Sequence, residues 1–365
     1  MARTIGFLLQ YLRPRSGAVE ETEVPYRRGG ETLPATLYRP ADRRGPLPAW
    51  VVLHGLTYRG RRHPSLERLA RALAASGALV FVPEIPEWRR LRVAPALTTA
   101  TIRSAIVALN QRAEAAEGRI GLLGFSFGAT QGLIAASDPD LEGQVQGLAA
   151  WGGYCDLFNL FRFGIAGEYE LDGTLQHSEP DPYGRWIMGA NYLTRVPGHA
   201  AYTQLADALE QLAQEAGRRG VAAWDPVYDP LKARLRAGLP PAQRELFDVF
   251  APPAGQPVPG LERAREFAHE LAAAALEADP LLDPAPYLPH VPLRTLLAHG
   301  RDDRLVPYTE TLRLSRAIPV QRRAGCTVTA LFAHSGGAEA GLGRFARARE
   351  AARFVGLLRD ILRLI

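Results

Sequence analysis

Three residues, far apart along the chain, have the types and surroundings that acyl transfer requires. Ser126 sits in Gly124-Phe125-Ser126-Phe127-Gly128, a G-x-S-x-G pattern between an apolar run, 119–125, and a small-residue segment, 127–136. A strand that turns sharply into a helix lifts a serine hydroxyl clear of the backbone. The flanking glycines let strand and helix approach without a Cβ clash, and the helix N-terminus favours developing negative charge. Asp303 comes after the apolar run Leu296-Leu297-Ala298, inside His299-Gly300-Arg301-Asp302-Asp303-Arg304-Leu305-Val306-Pro307. A carboxylate there can accept an imidazole N–H and fix its tautomer. Asp303 holds the better position, in D-x-x-V-P, and Asp302 is its local competitor. His334 leaves the run Thr327–Phe332 into the glycine-rich Ser335-Gly336-Gly337. A histidine in such a loop can reach back as general base. The chain order Ser, Asp, His is that of one particular strand–helix architecture.

These residues must be held by a sheet. Residues 49–53, 78–82, 119–125, 145–151, 293–298 and 327–332 are short apolar runs that predict buried strands. Segments 21–28 and 32–39, separated by Gly29-Gly30, predict a leading pair. Helical periodicity marks 64–76, 98–116, 127–136, 308–318 and 344–363. Strand–helix alternation implies an α/β fold: a mostly parallel, doubly wound sheet with helices on both faces and chemistry at the carboxyl ends of its strands. Residues 156–289 break the alternation with helical runs at 201–218 and 261–277 and much proline. The expected organisation is therefore a core of residues 1–155 and 290–365, with 156–289 as a mainly helical cap insertion.

His54-Gly55-Leu56-Thr57 ends the first core strand. Backbone N–H groups of Leu56 and Phe127 are the expected oxyanion donors, and His54 reads as structural. The other histidines show no metal-ligand spacing, so no metal and no cofactor are expected.

The chain resembles the α/β-hydrolases, nearest the dienelactone-hydrolase and prolyl-oligopeptidase-like esterase branches. HGLT at 54–57, GFSFG at 124–128, HGRDDRLVP at 299–307 and AHSGG at 333–337 carry the resemblance over residues 33–155 and 280–363. It implies a Ser126–His334–Asp303 triad and hydrolysis through an acyl-enzyme. A small-molecule carboxylic ester is the expected substrate. A thioesterase, a lactonase or a peptidase would use the same residues, and a non-catalytic receptor on the same fold is the remote alternative.

Between 151 and 192 lie nine aromatics in 42 residues. Either they line an apolar acyl pocket, with Tyr154, Phe158 and Trp186 as candidates, or they form the cap's own core. Arg59, Arg61, Arg62, Arg89, Arg90 and Arg92 come after the first two core strands, either as an anion site or as solvated surface. The net charge is +5, but 42 of the 43 basic residues are arginine and the acidic residues run the length of the chain. With no basic block or zinc knuckle, no nucleic-acid partner is expected. No run reaches the roughly 18 apolar residues of a membrane span. Neither a secretory signal nor a cysteine framework is recognisable, so a cytoplasmic protein is expected. Residues 5–12 form an apolar patch that either lies on a membrane surface or packs on the core, packing being the simpler role.

Overall fold

A computed structural model describes residues 2–331 and 343–365. Among the described residues ten strands are formed: β1 Val19–Arg28, β2 Glu31–Pro40, β3 Leu47–Leu53, β4 Leu79–Pro83, β5 Ala115–Phe125, β6 Gly147–Trp151, β7 Glu168–Leu171, β8 Thr174–His177, β9 Arg294–Gly300 and β10 Arg323–Thr329. Eight of them make one sheet in the order β1-β2-β4-β3-β5-β6-β9-β10. β4, β3, β5, β6, β9 and β10 pair parallel, while β1 with β2 and β2 with β4 pair antiparallel. The expected mostly parallel, doubly wound sheet is present. β3 and β6 are buried on both faces, as their unbroken apolar sequences require.

Several expected boundaries move, the strands expected at 119–125 and 327–332 among them starting four residues early, at Ala115 and Arg323. The helix expected at 98–116 is Pro95–Asn110, because Pro95 supplies a preset φ at the first turn and β5 takes the chain from Ala115 onward. Leu47 N–H bonds Glu114 O at 2.9 Å, and Ala115 already pairs with Leu47. The last strand ends at Thr329 rather than 332, because the next amide, Ala330 N–H, is taken by the Glu350 carboxylate at 3.0 Å.

β6 and β9 are neighbours in the sheet, yet about half of the intervening chain is helix: Leu157–Ala166, Pro182–Tyr192, Thr203–Arg219, Asp229–Gly238, Pro241–Phe250 and Leu261–Ala278. The β7–β8 hairpin among them has no counterpart in the sequence reading. The apolar side chains of these helices join those of β3, β5 and β9 in one continuous core. A second core on the opposite face of the sheet is covered by the helices Ala2–Leu12, Pro64–Ala75 and Arg344–Ile361.

Candidate active site

The carboxyl ends of the central strands lie level. Phe125 pairs with Trp151 and Trp151 with Ala298. Ser126 comes directly after, its N–H donating to Trp151 O at 2.8 Å, and it caps the helix Phe127–Ala136. Its backbone has φ 54° and ψ −127°. Non-glycine residues occupy that region only when their surroundings force them into it. Here the force is crowding between strand and helix. A Cβ at Gly124 would collide with the carbonyl of Gly128, and one at Gly128 with the carbonyl of His54. The two glycines of the motif are therefore needed because the β5–helix turn is packed against the end of β3.

Leu56 and Phe127 both stand beside Ser126. Each lines the same small cavity as the serine. A Cβ built on Gly55 would lie 3.1 Å from Ser126 Cβ, which measures how closely the 54–57 loop approaches. Phe127 is the first helical residue, so its N–H has no intrahelical acceptor.

Asp303 lies in the loop after β9 and is 5% exposed, whereas Asp302 is on the surface. Asp303 Oδ1 accepts from the N–H groups of Leu305 at 2.8 Å and Val306 at 3.0 Å. His299 holds this loop from below, a role its sequence setting did not reveal. Its Nε2 is 2.9 Å from Val306 O, a pure acceptor, so the Nε2 proton points there. Asp303 Oδ2 is 3.4 Å from the same nitrogen. His299 Nδ1 then accepts from Thr311 Oγ1 at 2.6 Å. Leu305, two residues after Asp303 and part of its turn, lines both cavities together with Ser126. The loop after β10 that carries His334 lies outside the described residues.

Ser126 is where two cavities meet. The larger, of about 410 Å³, runs past His54, Thr57, Arg59, His63 and Asp181. The smaller, of about 110 Å³, is walled by Leu157, Leu160, Phe161, Ile187, Met188 and other apolar groups. Of the three proposed substrate contacts, Tyr154 lines this smaller cavity, its hydroxyl bonded to Leu282 O at 2.7 Å. Phe158 packs on the His269 ring, and Trp186 is fully buried, donating to Phe250 O at 2.9 Å. Neither lines a cavity at Ser126. Tyr183, Phe161 and Tyr192 do line the smaller one. The aromatic cluster is thus part pocket wall and part core.

His54 is buried, and burial pushes its pKa down to about 4. Its Nδ1 donates to Gly55 O at 2.7 Å, which fixes the turn below Leu56. Of the rim arginines, Arg61 is buried against Glu84, Glu23 and Thr36, and Arg62 pairs with Glu21 and Glu67. Arg92 pairs with Glu210. Arg59 is exposed on the larger cavity and makes no ion pair among the described residues. A buried carboxylate that sequence reading missed, Glu310, accepts from Cys155 N–H at 3.0 Å and Asp156 N–H at 2.8 Å. It ties the exit of β6 to the helix Thr309–Ala317. Burial pushes its pKa up to about 7, against the pull of those two N–H groups. No group of residues suited to hold a metal occurs among the described residues. No described helix is long and apolar enough to cross a membrane.

No protein-family model matches the sequence, and no curated protein matches it. Solved structures do resemble it. An acylaminoacyl peptidase of Pyrococcus horikoshii shares 13% identity over 96% of this chain and 43% of its own, with a TM-score of 0.52. This chain thus spans less than half of that relative. A bacterial brefeldin A esterase shares 14% identity over 94% of this chain and 76% of its own, with a TM-score of 0.47. A Klebsiella pneumoniae protein named for dienelactone hydrolysis shares 15% identity over 94% and 99% of the two chains, with a TM-score of 0.46.

Proposed function

We propose that this chain, which has the α/β-hydrolase fold, is a serine hydrolase that cleaves a carboxylic ester through an acyl-enzyme. The observation that carries the reading is the backbone of Ser126: a non-glycine residue at positive φ, at a strand–helix junction, with two cavities meeting at its side chain. Such strain persists where function needs the side chain presented.

In this reading His334 removes the Ser126 proton as the hydroxyl attacks the carbonyl carbon. Asp303 accepts the other imidazole N–H and stabilises the imidazolium. The N–H groups of Leu56 and Phe127 receive the oxyanion, each contributing about 3 kcal/mol to lowering the barrier. His334 returns its proton to the leaving alcohol. A water deprotonated by the same histidine then releases the acid. Residues 156–289 act as a cap, and its helix Pro182–Tyr192 closes the smaller cavity over the acyl group. The two free cysteines, Cys155 and Cys326, suit a reducing cytoplasmic setting.

Arg59 favours one refinement. As a cation facing the larger cavity, it suits a leaving group that carries a carboxylate or phosphate, which includes a thioester of coenzyme A.

A fluorophosphonate probe should label Ser126, located by peptide mass mapping. Ser126→Ala should abolish labelling and lower turnover of a p-nitrophenyl ester at least about 1,000-fold, with the fold retained. Wild-type turnover by that variant would end the proposal. A panel of esters, acyl-CoAs, lactones and peptide amides ranks the substrate class. Activity should rise with pH through about 6–7, as a histidine base requires.

A further inference from the structure

The charge of this chain is concentrated. Residues 2–17 and 343–365 hold nine arginines and two acidic residues, Glu350 and Asp360, a formal +7. The whole chain is +5, so the remaining 34 basic and 36 acidic residues amount to −2. Folding brings the two positive segments together. The helix Ala2–Leu12 packs on Pro64–Ala75 and Arg344–Ile361. Phe7 lies against Leu358, Ile361 and Leu362, and Arg3 Nη1 donates to Leu362 O at 2.8 Å.

The first helix carries apolar groups on both sides, Phe7 inward and Ile5, Leu9 and Leu12 outward. Its inner face buries Thr4, Phe7 and Gln10. At 3.6 residues per turn, Ile5, Leu9 and Leu12 fall together on the opposite side. They are 49%, 46% and 67% exposed. A surface helix of a globular protein ordinarily turns charge outward. Charge follows the stripe along the chain, at Arg13 and Arg15, and is carried by the helix Arg344–Ile361 that packs against this one. Arg13, Arg15, Arg344, Arg349 and Arg363 are exposed and make no ion pair with a described residue, whereas Arg353 and Arg359 pair with Glu350 and Asp360. Phe345, 95% exposed, adds a further apolar group among these arginines.

An apolar stripe on a helix packed against another that carries cations without an ion-pair partner among the described residues matches the interface of a bilayer whose head groups are anionic. A second copy of this chain is disfavoured, since it would set one +7 surface against another. A nucleic acid would meet the arginines and leave the leucines uncovered. We propose that the paired helices Ala2–Leu12 and Arg344–Ile361 dock this protein on an anionic lipid bilayer, Ile5, Leu9 and Leu12 entering the interface and the arginines meeting lipid phosphates. Tyr11 of the same helix lines the larger cavity, so docking brings the bilayer to the rim that leads to Ser126.

The test is co-sedimentation of the full chain with vesicles of phosphatidylcholine alone or with about a third phosphatidylglycerol. Binding should be at least about tenfold tighter to the anionic vesicles and should weaken with salt. Arg344→Gln with Arg349→Gln should reduce it by about thirtyfold. Leu9→Asp should weaken it by about tenfold or more while leaving far-UV circular dichroism and soluble-ester turnover unchanged. Equal partitioning onto both vesicle types would overturn the proposal, as would vesicle binding unaltered in both variants. So would a dimer dissolved by Leu9→Asp in a protein that ignores vesicles, or duplex DNA binding tighter than vesicle binding and indifferent to Leu9→Asp.

Discussion

The two cavities that meet at Ser126 are built from different materials. The larger is bounded by loop residues, by Tyr11, by Ser65, Leu66 and Leu69 of the helix Pro64–Ala75 and by Ala216 and Gly217 at the end of the helix Thr203–Arg219, and His54, Thr57, Arg59, His63 and Asp181 give it polar groups that the smaller lacks. The smaller is bounded almost wholly by apolar side chains, with Ser126 as its reactive polar group. In the proposed reaction, a single nucleophile facing one wetter, more polar compartment and one drier, apolar compartment separates the halves of an ester by solvation. The acyl chain gains by leaving water, and the departing alcohol must reach it. The reading of a small acyl group and a polar leaving group rests on that contrast.

The contrast presupposes that chemistry occurs at the junction, and the severest way to break it is through Asp303. Asp303→Asn keeps the side-chain shape and one acceptor for the Leu305 and Val306 amides, but removes the charge. Turnover of every substrate, whichever cavity it fills, should fall by about 10³–10⁴-fold while the thermal midpoint moves little. A loss of tenfold or less in steady-state kinetics would remove Asp303 from the triad and leave the cavities without an assigned acid.

Asp303 also shows what could be read in the sequence. The D-x-x-V-P context after an apolar run selects it over Asp302, and the structure buries the first and exposes the second. Ser126 was equally legible, because its glycines report a local turn. The roles of His299 and Glu310 were not, because each acts on backbone that packing brings near. Glu310 bonds amides more than 150 residues away in sequence. Nor could the aromatic count between 151 and 192 say which rings face the site. The helix Pro182–Tyr192 answers by its period: Tyr183, Ile187 and Met188 face the smaller cavity, while Trp186, on the other side, reaches Phe250. The charge map was hidden likewise. Six of the nine arginines lie together in 344–363, but that folding brings the other three, Arg3, Arg13 and Arg15, to the same part of the molecule could not be read from the chain.

The second way to sharpen the comparison is to fill the dry cavity alone. Gly184 lines it from the helix, has an ordinary helical backbone, and a Cβ there would stand 3.3 Å from Leu305 Cδ2. Gly184→Leu should therefore grow into the cavity. Relative to acetate, kcat/KM for butyrate or longer p-nitrophenyl esters should fall by about 10–100-fold. An unchanged chain-length profile would show that acyl groups occupy the larger cavity instead.

The wet cavity has a milder test. Arg59→Ala should lower kcat/KM for esters with an acidic leaving group by about fivefold to tenfold at low salt, and leave neutral esters unaltered. An equal effect on both would make Arg59 a structural residue of the rim. A salt-independent preference would point the same way.

The smallest effect concerns the junction between β6 and the proposed cap, where Glu310 holds the Cys155 and Asp156 amides. The folded Glu310 carboxyl sits at about 7, above its ordinary value of 4.5. Between these values the folded chain keeps a proton that the unfolded chain has lost. Glu310 therefore makes stability decline as pH rises from about 4.5 to about 7. His54 acts in the opposite direction. Its folded value of about 4 lies below 6.5, so stability declines as pH falls through that window. The two slopes oppose each other in the wild type, and a single melting curve would hide both. Glu310→Gln retains an oxygen for the Cys155 and Asp156 amides and cannot titrate. The difference in thermal midpoint between wild type and variant isolates Glu310, because every other group is common to both. That difference should move in the variant's favour as pH rises from 5 to 8, and level off above about 7. A difference independent of pH would mean that Glu310 is already ionised in the folded state, held by Arg313, whose Nε is 3.4 Å from Oε1, and by the two amides, and that the junction carries no proton.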